Sequence, residues 1–258
     1  MSDVAQPITY PPAITVEDFA RNLDAVQARI ARAAARAGRD PRSVRLLPVS
    51  KTVAEDRLRN AVAAGYHRLG ENKVQEAKRK SENLADLDVS WAVVGHLQTN
   101  KARDVAGFAA EFQALDSLRL AEALDRRLQA AGRSLDVFVQ VNTSGEESKY
   151  GLSPDEVPAF LAALPRFETL RVQGLMTLAL FSSDLERVRA CFVRLRTLRD
   201  RARDTDPDLI GPGELSMGMS GDFEVAIDEG ATCVRVGQAL FGSRAPRYDE
   251  AHYWPSGT

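Results

Sequence analysis

Lysine is scarce in this chain. Among 258 residues it occurs six times, at positions 51, 73, 78, 80, 101 and 149, and the rest of the 34 cationic residues are Arg. No Lys follows Lys149. A chain that puts most of its positive charge on guanidinium groups offers an amine at few places. Cysteine is scarcer still. Cys191 and Cys233 both lie in apolar runs, which makes neither a disulfide framework nor a metal site. They suit a reducing compartment and read as small buried hydrophobes. His67, His96 and His252 share no ligand spacing with them. There is no excess of either charge: 34 basic against 36 acidic residues leave a net charge of -2, which removes the electrostatic case for nucleic acid. No apolar run approaches the roughly 18 residues of a membrane helix. The opening residues, MSDVAQPITYPPA, lack the basic-then-apolar order of a signal peptide. These absences point to a cytoplasmic protein with no membrane or nucleic-acid partner. No linker, low-complexity segment or internal repeat divides the chain, so one domain is expected.

What is present is an ordinary globular composition, 44% hydrophobic and 27% charged, in a chain long enough to bury a sizeable core. Over residues 15–37, Phe19, Leu23, Val26 and Ile30 recur at three- and four-residue spacing, with Gly38 placed as a C-terminal cap. That is an amphipathic helix. The period then changes. Residues 44–49 (VRLLPV) read as a strand, with Pro48 near its end because a central strand tolerates Pro poorly. Further strands are expected near 66–70, 91–95, 111–115, 136–142, 171–175, 214–217 and 232–236. Helices are expected between them, near 54–64, 73–85, 98–107, 117–131, 154–164, 183–203 and 221–229, with a short last one from 238. Ser153-Pro154-Asp155-Glu156 marks one helix start, and Leu185, Val188, Phe192, Leu195 and Leu198 stripe the longest late helix. Eight strand–helix units after one extra N-terminal helix predict an α/β fold, a single (β/α)8 TIM barrel spanning 15–244. A flexible segment, 1–14, precedes it, and a disordered tail, 245–258, follows it. An open doubly wound sheet is the competing arrangement, but no G-x-G-x-x-G follows the first strand.

In such a barrel, chemistry sits at the C-terminal ends of the strands. Lys51 follows the apolar run LLPVS, where a desolvated amine becomes a better nucleophile toward an aldehyde. A Lys snorkelling to solvent is the plainer reading. After strands seven and eight, Ser220 reads as the N-cap of the helix EVAIDEG, and Gly237-Gln238 opens the last helix. Neighbouring helix N-termini offer free N–H groups to a phosphate, although Ser220 can be only a cap and Gly237 only a tight turn. Arg235, amid Val234 and Val236, needs a partner: an acid in the barrel such as Glu71, or a ligand. An amine, a phosphate cradle and an Arg together fit pyridoxal 5′-phosphate (PLP).

The segments PVSKTV (48–53), GENKVQEA (70–77), VVGHLQTNKAR (93–103), VFVQVNTSGEESKYGL (137–152), GLMTLA (174–179), LSMGMSGDFEVAIDEGAT (215–232) and VRVGQALFGSR (234–244) resemble, in order, those of the pyridoxal phosphate homeostasis protein family, also called the proline synthetase co-transcribed family. The resemblance implies a fold-type III barrel like the N-terminal domain of alanine racemase. It implies that Lys51 carries the Schiff base to the cofactor, that Asn72 lies near the ring and that Arg235 faces the pyridine nitrogen. Ser220 and the backbone of Gly237 and Gln238 would hold the phosphate. Gln238 departs from the small hydroxyl residue usual in the family, which leaves only a backbone contact there. His96, Met176, Ser216 and Met217 fit the pocket rim, the two Met equally well as barrel packing.

Two functional classes follow. One is a non-catalytic protein that binds, buffers and transfers PLP, with apo PLP-dependent enzymes as acceptors. The other is an amino-acid racemase-like enzyme. In the resembling racemases a second base comes from a separate C-terminal domain, and no such domain is expected in this chain. A cationic Arg at the ring nitrogen also weakens the ring as an electron sink. Lys149, on the rim after strand five, is a candidate second amine for loading or transfer, beside the plainer reading of a solvated loop Lys. Lys101 is a weaker one. Lys73, Lys78 and Lys80 share one helix and read as solvated surface. A third class, a pure protein-interaction module, predicts no bound chromophore. A monomer is expected, because no exposed apolar stripe calls for a partner.

Overall fold

The chain, in a computed structural model, is described over residues 10–243. The expected tail, 245–258, and residues 1–9 of the expected flexible N-terminus lie outside the described residues. Residues 10–14 of that segment are tied down. Tyr10 and Ser243 exchange two hydrogen bonds of 2.8 Å, and Ala13 is fully buried.

Helix α1 (Val16–Arg36) starts at a capping box: Thr15 Oγ1 accepts from Asp18 N–H and Asp18 returns a carboxylate to Thr15 N–H. Its buried face carries Phe19, Val26 and Ile30, as the spacing predicts. Eight strands follow: β1 (Arg45–Pro48), β2 (Arg68–Glu71), β3 (Ser90–Val93), β4 (Glu111–Leu115), β5 (Leu135–Gln140), β6 (Leu170–Met176), β7 (Glu214–Ser216) and β8 (Cys233–Val236). Each is followed in turn by a helix: α2 (Glu55–Ala63), α3 (Val74–Asn83), α4 (Ala102–Phe108), α5 (Leu118–Ala131), α6 (Val157–Ala163), α7 (Leu185–Thr205), α8 (Phe223–Asp228) and α9 (Gln238–Phe241). All strand pairs are parallel, in the order β1-β8-β7-β6-β5-β4-β3-β2. A bridge from Val49 to Gly70, with Ser50 N–H on Gly70 O at 2.9 Å, joins β1 to β2 and closes the ring. The fold is therefore the expected α/β barrel with an added N-terminal helix.

Pro48 is the last residue of β1, where its missing N–H costs no central ladder bond. Two expected helices open as 3₁₀ turns, Thr99–Lys101 before α4 and Pro154–Glu156 before α6. The capping box at Ser153 and Glu156 is formed. On α7 the stripe buries Val188, Phe192 and Leu195, but Leu185 in the first turn is about half exposed. Both cysteines are free and buried. Most of the apolar core lies between the sheet and the helices. Inside the ring a smaller cluster, Leu47, Ala92, Val94 and Cys233, leaves room for polar side chains.

Candidate functional site

The C-terminal ends of β1 and β8 are hydrogen-bonded neighbours. Val49 N–H donates to Val236 O at 2.8 Å, and a Cβ on Gly237 would come within 3.2 Å of Val49 O. Lys51 lies two residues beyond Val49, half-buried. Around it the backbone is held by side chains of α3 and β2. Ser50 is fully buried; its Oγ donates to Glu71 Oε1 at 2.7 Å. Lys80 Nζ donates to Ser50 O at 2.9 Å, Glu71 Oε1 at 2.7 Å and Glu76 Oε1 at 2.8 Å. The same Glu76 oxygen accepts from Thr52 N–H at 2.8 Å. Lys80 is thus no solvated surface residue: its side chain is 0% exposed. Burial pushes the Glu71 carboxyl above its ordinary range, and Lys80 and Ser50 pull it back down.

Arg235 is buried on β8 and points into the barrel. Its guanidinium donates to Ser216 Oγ at 2.7 Å and to Thr177 O at 2.6 Å. Ser216 Oγ donates onward to Gln113 Oε1 at 2.7 Å, and Gln113 Nε2 donates to Glu111 Oε1 at 2.5 Å. Glu111 Oε2 accepts from Arg45 at 2.8 Å, and Arg45 reaches Glu214 at 3.1 Å. These residues come from β1, β4, β7 and β8, so the chain of bonds crosses the interior of the barrel. The hydrogen-bond partners of Arg235 do not include the acid expected, although the carboxylates of Asp222 and Glu111 act on it through their charge. Glu71 is engaged by Lys80, and no carboxylate hydrogen-bonds Arg235 among the described residues.

Ser220 caps a different helix from the one expected. α8 begins at Phe223, with Asp222 at its N-cap accepting from Met219 N–H. Ser220 Oγ instead reaches the start of α9, where it accepts from Gly237 N–H at 3.3 Å and Ala239 N–H at 3.4 Å. Both amides thus donate to the Ser220 hydroxyl, and the Gln238 N–H falls between them in sequence at the same helix start. Gln238 is exposed.

Asn72 follows β2, half-buried, and the loop after β3 crosses close against it. A Cβ on Gly95 would run into the Asn72 carbonyl oxygen well inside contact distance. We expect Gly95→Ala to destabilise the chain by about 1–3 kcal/mol, as overpacking does. Thermal unfolding measures this, at about 2–4 °C per kcal/mol for a chain near this size.

His96 lies farther along the rim. Its ring stacks on Tyr150, with centroids 3.8 Å apart and planes at 8°, and Nδ1 is 3.5 Å from Asp116 Oδ2. Burial pushes the Asp116 carboxyl up. Met176, Ser216 and Met217 are fully buried where β6 and β7 end. Lys149 is not a solvated loop residue either: its side chain is 13% exposed, donates to Ala179 O at 3.0 Å and pairs with Glu146. It pins the loop after β5 to the loop after β6, on the side of the ring opposite β1. Lys101 ends the turn before α4, half-buried. Among the described residues, no group of His, Cys, Asp or Glu could hold a metal ion. No described helix is long and apolar enough to cross a membrane.

Sequence reasoning missed Lys80, Glu76, Gln113, Glu111, Thr177 and Tyr150. Two signals were there. Val74, Ala77 and Lys80 share the buried face of α3 at three-residue spacing. Glu111 and Gln113 alternate with Phe112 and Ala114 in a strand wholly buried, which marks a polar interior face.

The profile of the alanine racemase N-terminal domain family matches residues 21–245. A pyridoxal phosphate homeostasis protein of Pseudomonas aeruginosa is 44% identical over 226 residues, covering 88% of this chain and 96% of that one. PipY of Synechococcus elongatus, solved with PLP bound, is 36% identical, covers 87% of this chain and 100% of its own, and superposes with a TM-score of 0.77. Alanine racemase of Clostridium difficile, 17% identical, shares the fold at a TM-score of 0.71, with 61% of its chain covered.

Proposed function

The chain belongs to the pyridoxal phosphate homeostasis protein family, and from that premise we propose that it binds PLP at the joined ends of β1 and β8 and buffers its supply without sustained catalysis. One observation carries the reading. Lys51 follows β1, the buried Arg235 lies on the paired strand β8, and Ser220 bonds the amides just after β8. Their chemistry fits the three functional parts of PLP, an aldehyde, a ring nitrogen and a phosphate. When bound, the cofactor supplies an aldehyde that condenses with an amine. The protein's part is to hold and orient. Lys51 presents the amine. Ser220 and the backbone N–H groups of Gly237 and Gln238 would take the phosphate, with the Ala239 N–H beside them. Arg235, fixed by Ser216 and Thr177, would face the ring nitrogen, where its charge would disfavour protonation. An unprotonated ring would be a weaker electron sink, but the resembling racemases share that Arg, so turnover is decided by the test below.

The test has two parts. Purified protein mixed with PLP is expected to gain absorbance near the visible range. Incubated with each L-amino acid, it is expected to show no sustained racemisation or deamination; multiple turnover would replace this reading with an amino-acid enzyme.

Storage implies hand-over to apo PLP-dependent enzymes. Lys149 tethers two rim loops, so we expect Lys149→Ala to change the rate at which the loaded protein reactivates an apo acceptor, with Lys51 loading intact. Equal rates for variant and wild type would retire that role.

A further inference from the structure

Lys80 is wholly buried, and burying an ammonium is expensive unless its donors are matched. Here all three donors are used, on Ser50 O, Glu71 Oε1 and Glu76 Oε1. Two of these partners lead directly to Lys51. Ser50 O belongs to the peptide unit that precedes Lys51. Glu76 Oε1 also accepts from Thr52 N–H, in the peptide unit that follows it. The third partner, Glu71 Oε1, accepts the Ser50 hydroxyl. Both peptide planes attached to the Lys51 Cα are thereby hydrogen-bonded into one cluster. With those planes fixed, the direction of the Cα–Cβ bond is fixed.

The chain also needs holding there. Thr52 has φ +65°, a left-handed conformation uncommon for a β-branched residue. It turns the backbone immediately after Lys51. Apolar side chains of the same volume would fill the space without the desolvation cost. They could not bind Ser50 O and Thr52 N–H. The polar cluster therefore answers to the segment that bears Lys51.

We propose that Lys80, acting with Glu76, is the positioning device for Lys51: it aims the stem of the amine into the barrel mouth. This rests on the reading of Lys51 as the cofactor-binding amine.

The test uses the full chain and three variants, Lys80→Met, Glu76→Ala and Glu76→Gln. The first removes the hub. The second removes a partly exposed acceptor, so the fold is retained even where Lys80→Met is too unstable to isolate. The third keeps an oxygen that can accept from Thr52 N–H. PLP affinity is read from the near-visible absorbance. Amide exchange at Thr52 and Lys51 labelling by acetaldehyde with cyanoborohydride are read on the cofactor-free protein. Glu76→Ala is expected to weaken PLP binding by about tenfold or more, as misplacement of a reacting group does. Thr52 exchange rises, thermal stability falls by less than in Lys80→Met because Lys80 keeps Glu71 and Ser50 O, and Lys51 labelling by the small aldehyde is unchanged because its intrinsic nucleophilicity is intact. Glu76→Gln restores most of the affinity. Folded Glu76→Ala with wild-type PLP affinity overturns the positioning role alone. A wild-type chain that gains no near-visible band with PLP overturns both this role and the reading beneath it.

Discussion

Lys51→Ala is expected to abolish the near-visible absorbance that PLP gives with the wild-type chain. The expectation rests on where the other amines lie. Lys78 is held by Asp104 at 3.0 Å on the outer face of α3, and Lys73 is exposed at the start of that helix. Lys80 has all three donors engaged in the interior. Lys149 is tied to Ala179 and Glu146 on the far side of the ring. Lys101 sits at the turn after β3, away from β8. Only Lys51 follows a strand that borders the Ser220–Gly237 donor set. Borohydride reduction of the loaded wild type, followed by peptide mapping, should place the label on residue 51. A band that survives in Lys51→Ala would move the cofactor to another amine and separate it from Arg235.

Lys80→Met should cost about 3–5 kcal/mol at neutral pH, the usual penalty for removing one partner of a buried ion pair. At about 2–4 °C per kcal/mol the loss is plain in a thermal melt. Its pH dependence identifies the cause. In the wild type, burial already pushes the Glu71 carboxyl up while Lys80 opposes it. Without Lys80 the folded-state pKa climbs further above the unfolded value of about 4.3. The native variant then holds a proton that the unfolded chain has released, so its stability is retained at low pH and lost as pH rises through the folded pKa. The deficit relative to wild type is therefore smaller at pH 5 than at pH 8. A deficit that is equal at both, or larger at pH 5, would assign the loss to packing instead. Adding Glu71→Leu to Lys80→Met should recover stability, since an apolar pair replaces a stranded charge. It should not recover PLP affinity, because the hold on Ser50 O and Thr52 N–H stays broken.

Much of the fold was legible along the chain. Strand and helix periods differ, and the barrel's repeated alternation of the two left few topologies open. Pro48 and the box at Ser153 marked ends that the structure keeps. At the candidate site, Lys51, Asn72 and Arg235 stand out in the sequence by their places at strand ends and by motif resemblance, and the structure puts them at or just after strands β1, β2 and β8. Ser220 was found with the wrong helix: its spacing to Phe223 suits a local cap, but the amides it meets are 17 and 19 residues further on.

The sequence by itself determined the elements, their order, and the residue types that wait at the rim, because these depend on interactions within a turn or a strand. Tertiary structure alone decided how charge is paired. Lys80 looked like surface because lysine usually is; the barrel placed it under Ser50 and beside Glu71, and Arg235 was thereby left to Ser216 and Thr177. Pairing of buried charge depends on which side chains share a low-dielectric interior, and that follows from strand order and register, which no local spacing encodes.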